Sequence, residues 1–117
     1  MNLSKKLKVI YKNFYKDTGL RKRSCKWEDT LKLIIETLDA TYLKVESVNN
    51  VNKIICIKIE TKELGNLKII TTINRYLISF TNGVTDNLTW NPHILDKTTL
   101  EYVKKTVLKI REDNTEL

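Results

Sequence analysis

Residues 53–61 read KIICIKIET. The β-branched content argues for a strand, and Ile55, Ile57 and Ile59 fall on one face of it at a period of two. Ile54 and Cys56 make the opposite face apolar at its start, which places this strand in the middle of a sheet rather than at its edge. Downstream, Glu63–Asn66 turns around Gly65, and 67–73 alternates through Leu67, Ile69, Thr71 and Ile73. After a break at Asn74-Arg75, 76–81 alternates through Tyr76, Ile78 and Phe80. Asn82-Gly83 then has the chemistry of a two-residue hairpin turn, since both residues tolerate positive φ. That turn would return 84–90 as an antiparallel edge strand, with Thr81 facing Val84, Leu88 facing Leu77, and Trp90 near enough to Arg75 for a cation–π contact. Asn91-Pro92 ends the pattern, leaving His93 in a loop.

Upstream of the central strand, Tyr42, Leu43, Val45 and Val48 suit a strand over 41–48, closed by the polar turn Asn49–Asn52. Before it the period changes to 3.6. Trp27, Leu31, Ile34 and Leu38 line one side of a helix over 25–39, with Ser24 as its N-cap and Glu28 and Asp29 in its first turn. Leu3, Leu7, Ile10 and Phe14 do the same for a helix over 4–17, capped by Ser4 and stopped at Gly19. At the other end, Leu100, Val103, Val107 and Ile110 define a helix over 98–111, opened by a capping box at Thr98–Glu101. The order is α-α-β-β-β-β-β-α. It predicts an α+β fold of two N-terminal helices, an antiparallel meander of four to five strands over 41–90, and one C-terminal helix packed on the sheet. At 117 residues, 1–117 reads as a single domain. Only the last residues, from Glu112, lack a pattern.

Charge is concentrated at one end. Residues 3–26 carry nine Lys and Arg against one acid, Asp17, while the whole chain is +7, so 27–117 is close to neutral. The first helix carries Lys5, Lys8, Lys12 and Lys16 on the side opposite its apolar seam. The linker adds Arg21, Lys22, Arg23 and Lys26. A basic element of this kind points to an anionic partner. Tyr11, Tyr15 and Trp27, among the cations, are candidates for stacking on bases, with the core as the alternative place for Trp27. The competing explanation is a solvated helix face in a Lys-rich chain. Lys outnumbers Arg 17 to 4 and there is one Ala, the usage of a very AT-rich coding sequence.

Other chemistries lack their residues. One histidine and two cysteines 31 positions apart make no metal set, and no glycine-rich phosphate loop can be drawn from three glycines. No paired carboxylates or nucleophile–base arrangement is visible. A helix-turn-helix built from the first two helices conflicts with the long connection and with the acids of the second. Cys25 and Cys56 read as free thiols. No signal peptide or membrane span is visible, which gives a cytoplasmic expectation.

The reading is therefore a small non-enzymatic binding protein without a cofactor. It would engage RNA, DNA or a nucleoprotein complex, and no membrane, through Lys5, Lys8, Lys12, Lys16, Arg21, Lys22, Arg23, Lys26 and Tyr15. A phage or mobile-element accessory protein that inhibits a host nucleic-acid enzyme fits the size and composition. The alternative is a protein-interaction module, such as an immunity protein, chaperone or adaptor, for an acidic partner. The edge strand 84–90 could also pair with a second copy as a homodimer.

Overall fold

The computed structural model describes the backbone of residues 3–81 and 88–115, and side chains over the same ranges except at 3, 78, 88–93, 114 and 115. The chain runs α1 (Leu3–Thr18), α2 (Glu28–Leu38), β1 (Ala40–Asn49), β2 (Ile54–Thr61), β3 (Gly65–Thr72), β4 (Tyr76–Thr81), β5 (Leu88–Ile94) and α3 (Lys97–Thr115). The strands form one antiparallel sheet in chain order, so β2 lies inside and β1 and β5 are the edges. This is the α+β meander that the periodicities predict.

The two faces of the sheet differ because the strands alternate. Ile55, Ile57 and Ile59 of β2 are sealed, and with Leu43, Val45, Leu67, Ile69, Leu77 and Phe80 they make one apolar floor. All three helices set their seams on it. Leu7 and Phe14 of α1, Leu31, Ile34 and Leu38 of α2, and Leu100, Val103 and Val107 of α3 belong to the same buried cluster. The opposite face, with Tyr42, Lys44, Lys58, Lys68 and Tyr76, carries no helix among the described residues.

Several local expectations are corrected. The two-residue turn at Asn82-Gly83 requires Phe80 to pair with Thr85, but Phe80 pairs with Leu88 and Leu77 with His93. The connection is therefore longer; residues 82–87 lie outside the described ones. β5 is displaced to Leu88–Ile94 and runs through Asn91-Pro92, which an edge strand tolerates because the missing N–H can face away from the ladder. His93 thus has its backbone in a strand, not in a loop. The contact expected between Arg75 and Trp90 involves a side chain outside the described ones. The Arg75 guanidinium lies 5.6 Å from the Trp27 ring.

Helix starts are corrected as well. α2 opens at Glu28 rather than 25, because the amides of Ser24 and Cys25 donate to the Arg21 carbonyl (3.1 and 3.0 Å) and close a turn. Ser24 is spent in that turn, and Trp27 occupies the cap position without a side-chain bond. α1 already includes Leu3, so Ser4 sits within its first turn. In α3 the capping is done by Asp96, whose carboxylate accepts the Thr99 N–H at 2.9 Å, not by Thr98. α3 also continues past 111 to Thr115. β3 starts early, at Gly65, whose φ of +76° makes the turn out of β2.

Candidate nucleic-acid interface

The spacing of α1 separates packing from charge. Leu7 and Phe14 are buried and Ile10 is half-buried, while Lys5, Lys8, Lys12 and Lys16 are exposed on the other side. The stripe is about 16 Å long at 1.5 Å per residue. Lys5 and Lys6 stand in the first turn, which holds no acid. The helix dipole disfavours cations there. Among the described residues Lys8, Lys12 and Lys16 form no ion pair.

The linker that follows is held down at several points. Gly19, at φ +72°, ends α1 with its N–H on the Tyr15 carbonyl (3.0 Å). The Tyr15 hydroxyl donates to the Cys25 carbonyl and accepts the Trp27 N–H, both at 3.2 Å. Trp27 is fully buried, its ring 4.9 Å from Phe14 and its indole N–H on the Ile73 carbonyl at 3.0 Å. On the far side, the Arg75 guanidinium donates to the Lys26 carbonyl and covers the Trp27 ring. Arg21, Lys22, Arg23 and Lys26 all point to solvent from this fixed turn. Lys22 meets Glu28 at 3.2 Å; Arg21, Arg23 and Lys26 have no carboxylate partner among the described residues.

The structure leaves the predicted cations exposed and ties down the aromatics among them. Tyr15 is half-buried with its hydroxyl engaged on both sides, and Trp27 is core. Trp27 offers no exposed ring face, and both side chains fix the linker. Tyr11 is half-buried beside the same seam, and burial, followed by the fields of Glu28, Asp29 and Glu36, pushes its hydroxyl above the ordinary tyrosine value. It stays a neutral donor.

Beside the stripe, α1 and the edge strand β1 enclose a cleft of about 310 Å³. Ile10, Phe14, Leu43 and Val45 form its floor, and Asn13, Lys16, Asp17, Tyr42 and Lys44 its mouth. The last cation of the helix therefore shares a cleft with a lysine of the sheet, a neighbour the sequence does not announce.

The other chemically capable groups are separate. Cys25 and Cys56 are free. Cys56 donates to a Glu46 oxygen at 3.2 Å, and burial, then that carboxylate, pushes its thiol up to about 11, so it is protonated at neutral pH. Among the described residues no group of three or more His, Cys, Asp and Glu gathers as a metal site would. No described helix is long and apolar enough to cross a membrane.

No protein-family model, curated protein or solved structure matches this chain.

Proposed function

We propose that the protein binds nucleic acid, alone or within a nucleoprotein complex, through α1 and the linker that follows it. The observation that carries this is a set of six exposed cations, Lys8, Lys12, Lys16, Arg21, Arg23 and Lys26, with no carboxylate partner among the described residues, on backbone fixed by buried contacts. Because the backbone is already ordered, only side-chain freedom is lost when phosphates arrive. Lys5 and Lys22 extend the same surface. The contacts are to phosphate and largely independent of sequence. The role is binding without catalysis, in the cytoplasm, and the AT-rich composition suits an accessory protein of a phage or mobile element.

Fluorescence anisotropy with a labelled RNA and a labelled DNA at low salt tests this. Micromolar or tighter binding is expected, abolished in Lys8→Glu/Lys12→Glu/Arg21→Glu. Neutralisation of Lys97, Lys105 and Lys109 on α3 to Gln should weaken it far less near 0.15 M salt, where charges more than about 8 Å away are largely screened. Failure of the wild-type protein to bind either nucleic acid would sink the proposal and leave an acidic protein as the partner to seek.

A further inference from the structure

The strand register creates a second basic feature. Lys44 of β1 stands opposite Lys58 of β2, which stands opposite Lys68 of β3. The three lysines form one row across adjacent strands, on the face without a helix. At the usual strand separation the row is about 10 Å long. Like charges placed directly opposite one another disfavour a sheet, and the row carries little compensation. Lys68 meets Glu46 at 3.1 Å, while Lys44 and Lys58 form no ion pair among the described residues.

The row is one residue wide. Glu60, opposite Tyr42, flanks it on one side, and Glu46 flanks it on the other. It also meets the α1 stripe, because Lys44 and Lys16 line the same cleft. Among the described residues two aromatic rings lie on this face, Tyr42 at 42% and Tyr76 at 43% exposure.

We infer that the nucleic acid is single-stranded, and that its backbone passes from α1 over the Lys16–Lys44 cleft and along the row Lys44–Lys58–Lys68. This rests on the nucleic-acid reading above and adds the strandedness and the path. A single phosphodiester chain matches a line of cations bounded by acids. A duplex would bring a second backbone against Glu46 or Glu60. Only unpaired bases can stack on Tyr42, which adjoins Lys44 and serves any base, since every base has a π-face. An extended peptide pairing with β1 is the less favourable occupant. The register of β1 is broken between Ala40 and Tyr42 and again between Val45 and Ser47, and such irregularities spoil an edge for strand addition.

The test compares a labelled oligothymidine, an RNA of equal length and a duplex of equal length, each of about 20 nucleotides or base pairs, enough to span the ~16 Å stripe and the ~10 Å row. Single strands should bind about 10-fold or more tighter than the duplex near 0.1 M salt. Lys44→Thr/Lys58→Thr/Lys68→Thr, which keeps β-branched side chains in the strands, should lose about 100-fold in single-strand affinity and lower the salt slope by about 2, the share of three phosphate contacts. Its duplex affinity should stay unchanged. Independently of any variant, a bromouracil-substituted strand should photo-crosslink wild-type protein at Tyr42. Equal affinity for single strand and duplex, an unaltered single-strand affinity in the triple variant, or crosslinks confined to α1 would each overturn the path over the sheet. If Lys8→Glu/Lys12→Glu/Arg21→Glu still abolished binding in that case, the α1 interface would survive. If the wild type bound nothing, both would fall.

Discussion

α1 and α3 each carry five cations on an amphipathic helix, 16 and 19 residues long. On α3 the acids come with them. Asp96 caps the helix, Glu101 lies 3.9 Å from Lys97, and Lys104 reaches Asp39 at 3.3 Å. On α1 the only acid is Asp17, in the last turn, where the dipole also disfavours it. A lysine-rich composition supplies both helices with cations; the placement of acids decides which of them presents a field. This is why the abundance of lysine does not by itself account for the α1 surface, and why α3 serves as its internal control.

The comparison assumes that both helices are docked equally firmly, and that can be broken first. Phe14→Ala should cost about 3–5 kcal/mol in urea unfolding, since it empties a buried site against Trp27. Val107→Ala on α3 removes two methyl groups from an equally buried site and should cost about 2 kcal/mol. A loss below about 1 kcal/mol for Phe14→Ala would mean that α1 is not a core element, and its cations would no longer be held in place.

A smaller effect should separate the two ends of the molecule. Arg75 sits at φ +64°, a left-handed conformation that costs a non-glycine residue about 1 kcal/mol. Its side chain offsets this by holding Lys26 and Trp27. Arg75→Ala should lose about 1–2 kcal/mol and speed amide exchange over residues 22–26 while leaving α3 unchanged. Arg75→Gly should be the milder variant in unfolding, because it relieves the backbone, with the same faster exchange in the linker. Equal stability of the two would remove the argument from backbone strain.

The smallest effect is on pH. The Lys68 ammonium, and then the Cys56 thiol, hold the Glu46 carboxyl below its ordinary value. A depressed carboxylate adds stability above its unfolded value of 4.5, and that stability is lost as pH falls through the lower folded value. Lys68→Thr should therefore lower stability slightly at neutral pH, leave it unchanged below the folded value, and so flatten the acid limb between the two. An acid limb identical to wild type would show that this surface pair contributes nothing.

The elements were legible in the sequence because their periods are clean. Ile55, Ile57 and Ile59 announce a half-sealed strand, and Trp27, Leu31, Ile34 and Leu38 announce a helix. Register was not legible. Asn82-Gly83 has the residues of a tight turn, yet Phe80 pairs with Leu88, because the pairing of two strands is decided by the whole ladder and not by one dipeptide. The same limit hid the lysine row, since Lys44, Lys58 and Lys68 are unremarkable outward positions until three strands are aligned. The cations of α1 and the linker could be read directly from the chain. What fixes them could not: the Tyr15 hydroxyl reaches across 10 positions to Cys25, and Arg75 reaches across 49 to Lys26.

The central claim is that the uncompensated charge of α1 and its linker binds phosphate. Its most direct test is the affinity of the wild-type protein for a labelled single strand, measured between about 50 and 200 mM salt. Six to eight phosphate contacts from α1 and its linker, with three more from the lysine row, predict a log–log slope of about −6 to −8. A slope near zero, or no binding at the lowest salt, would contradict the account.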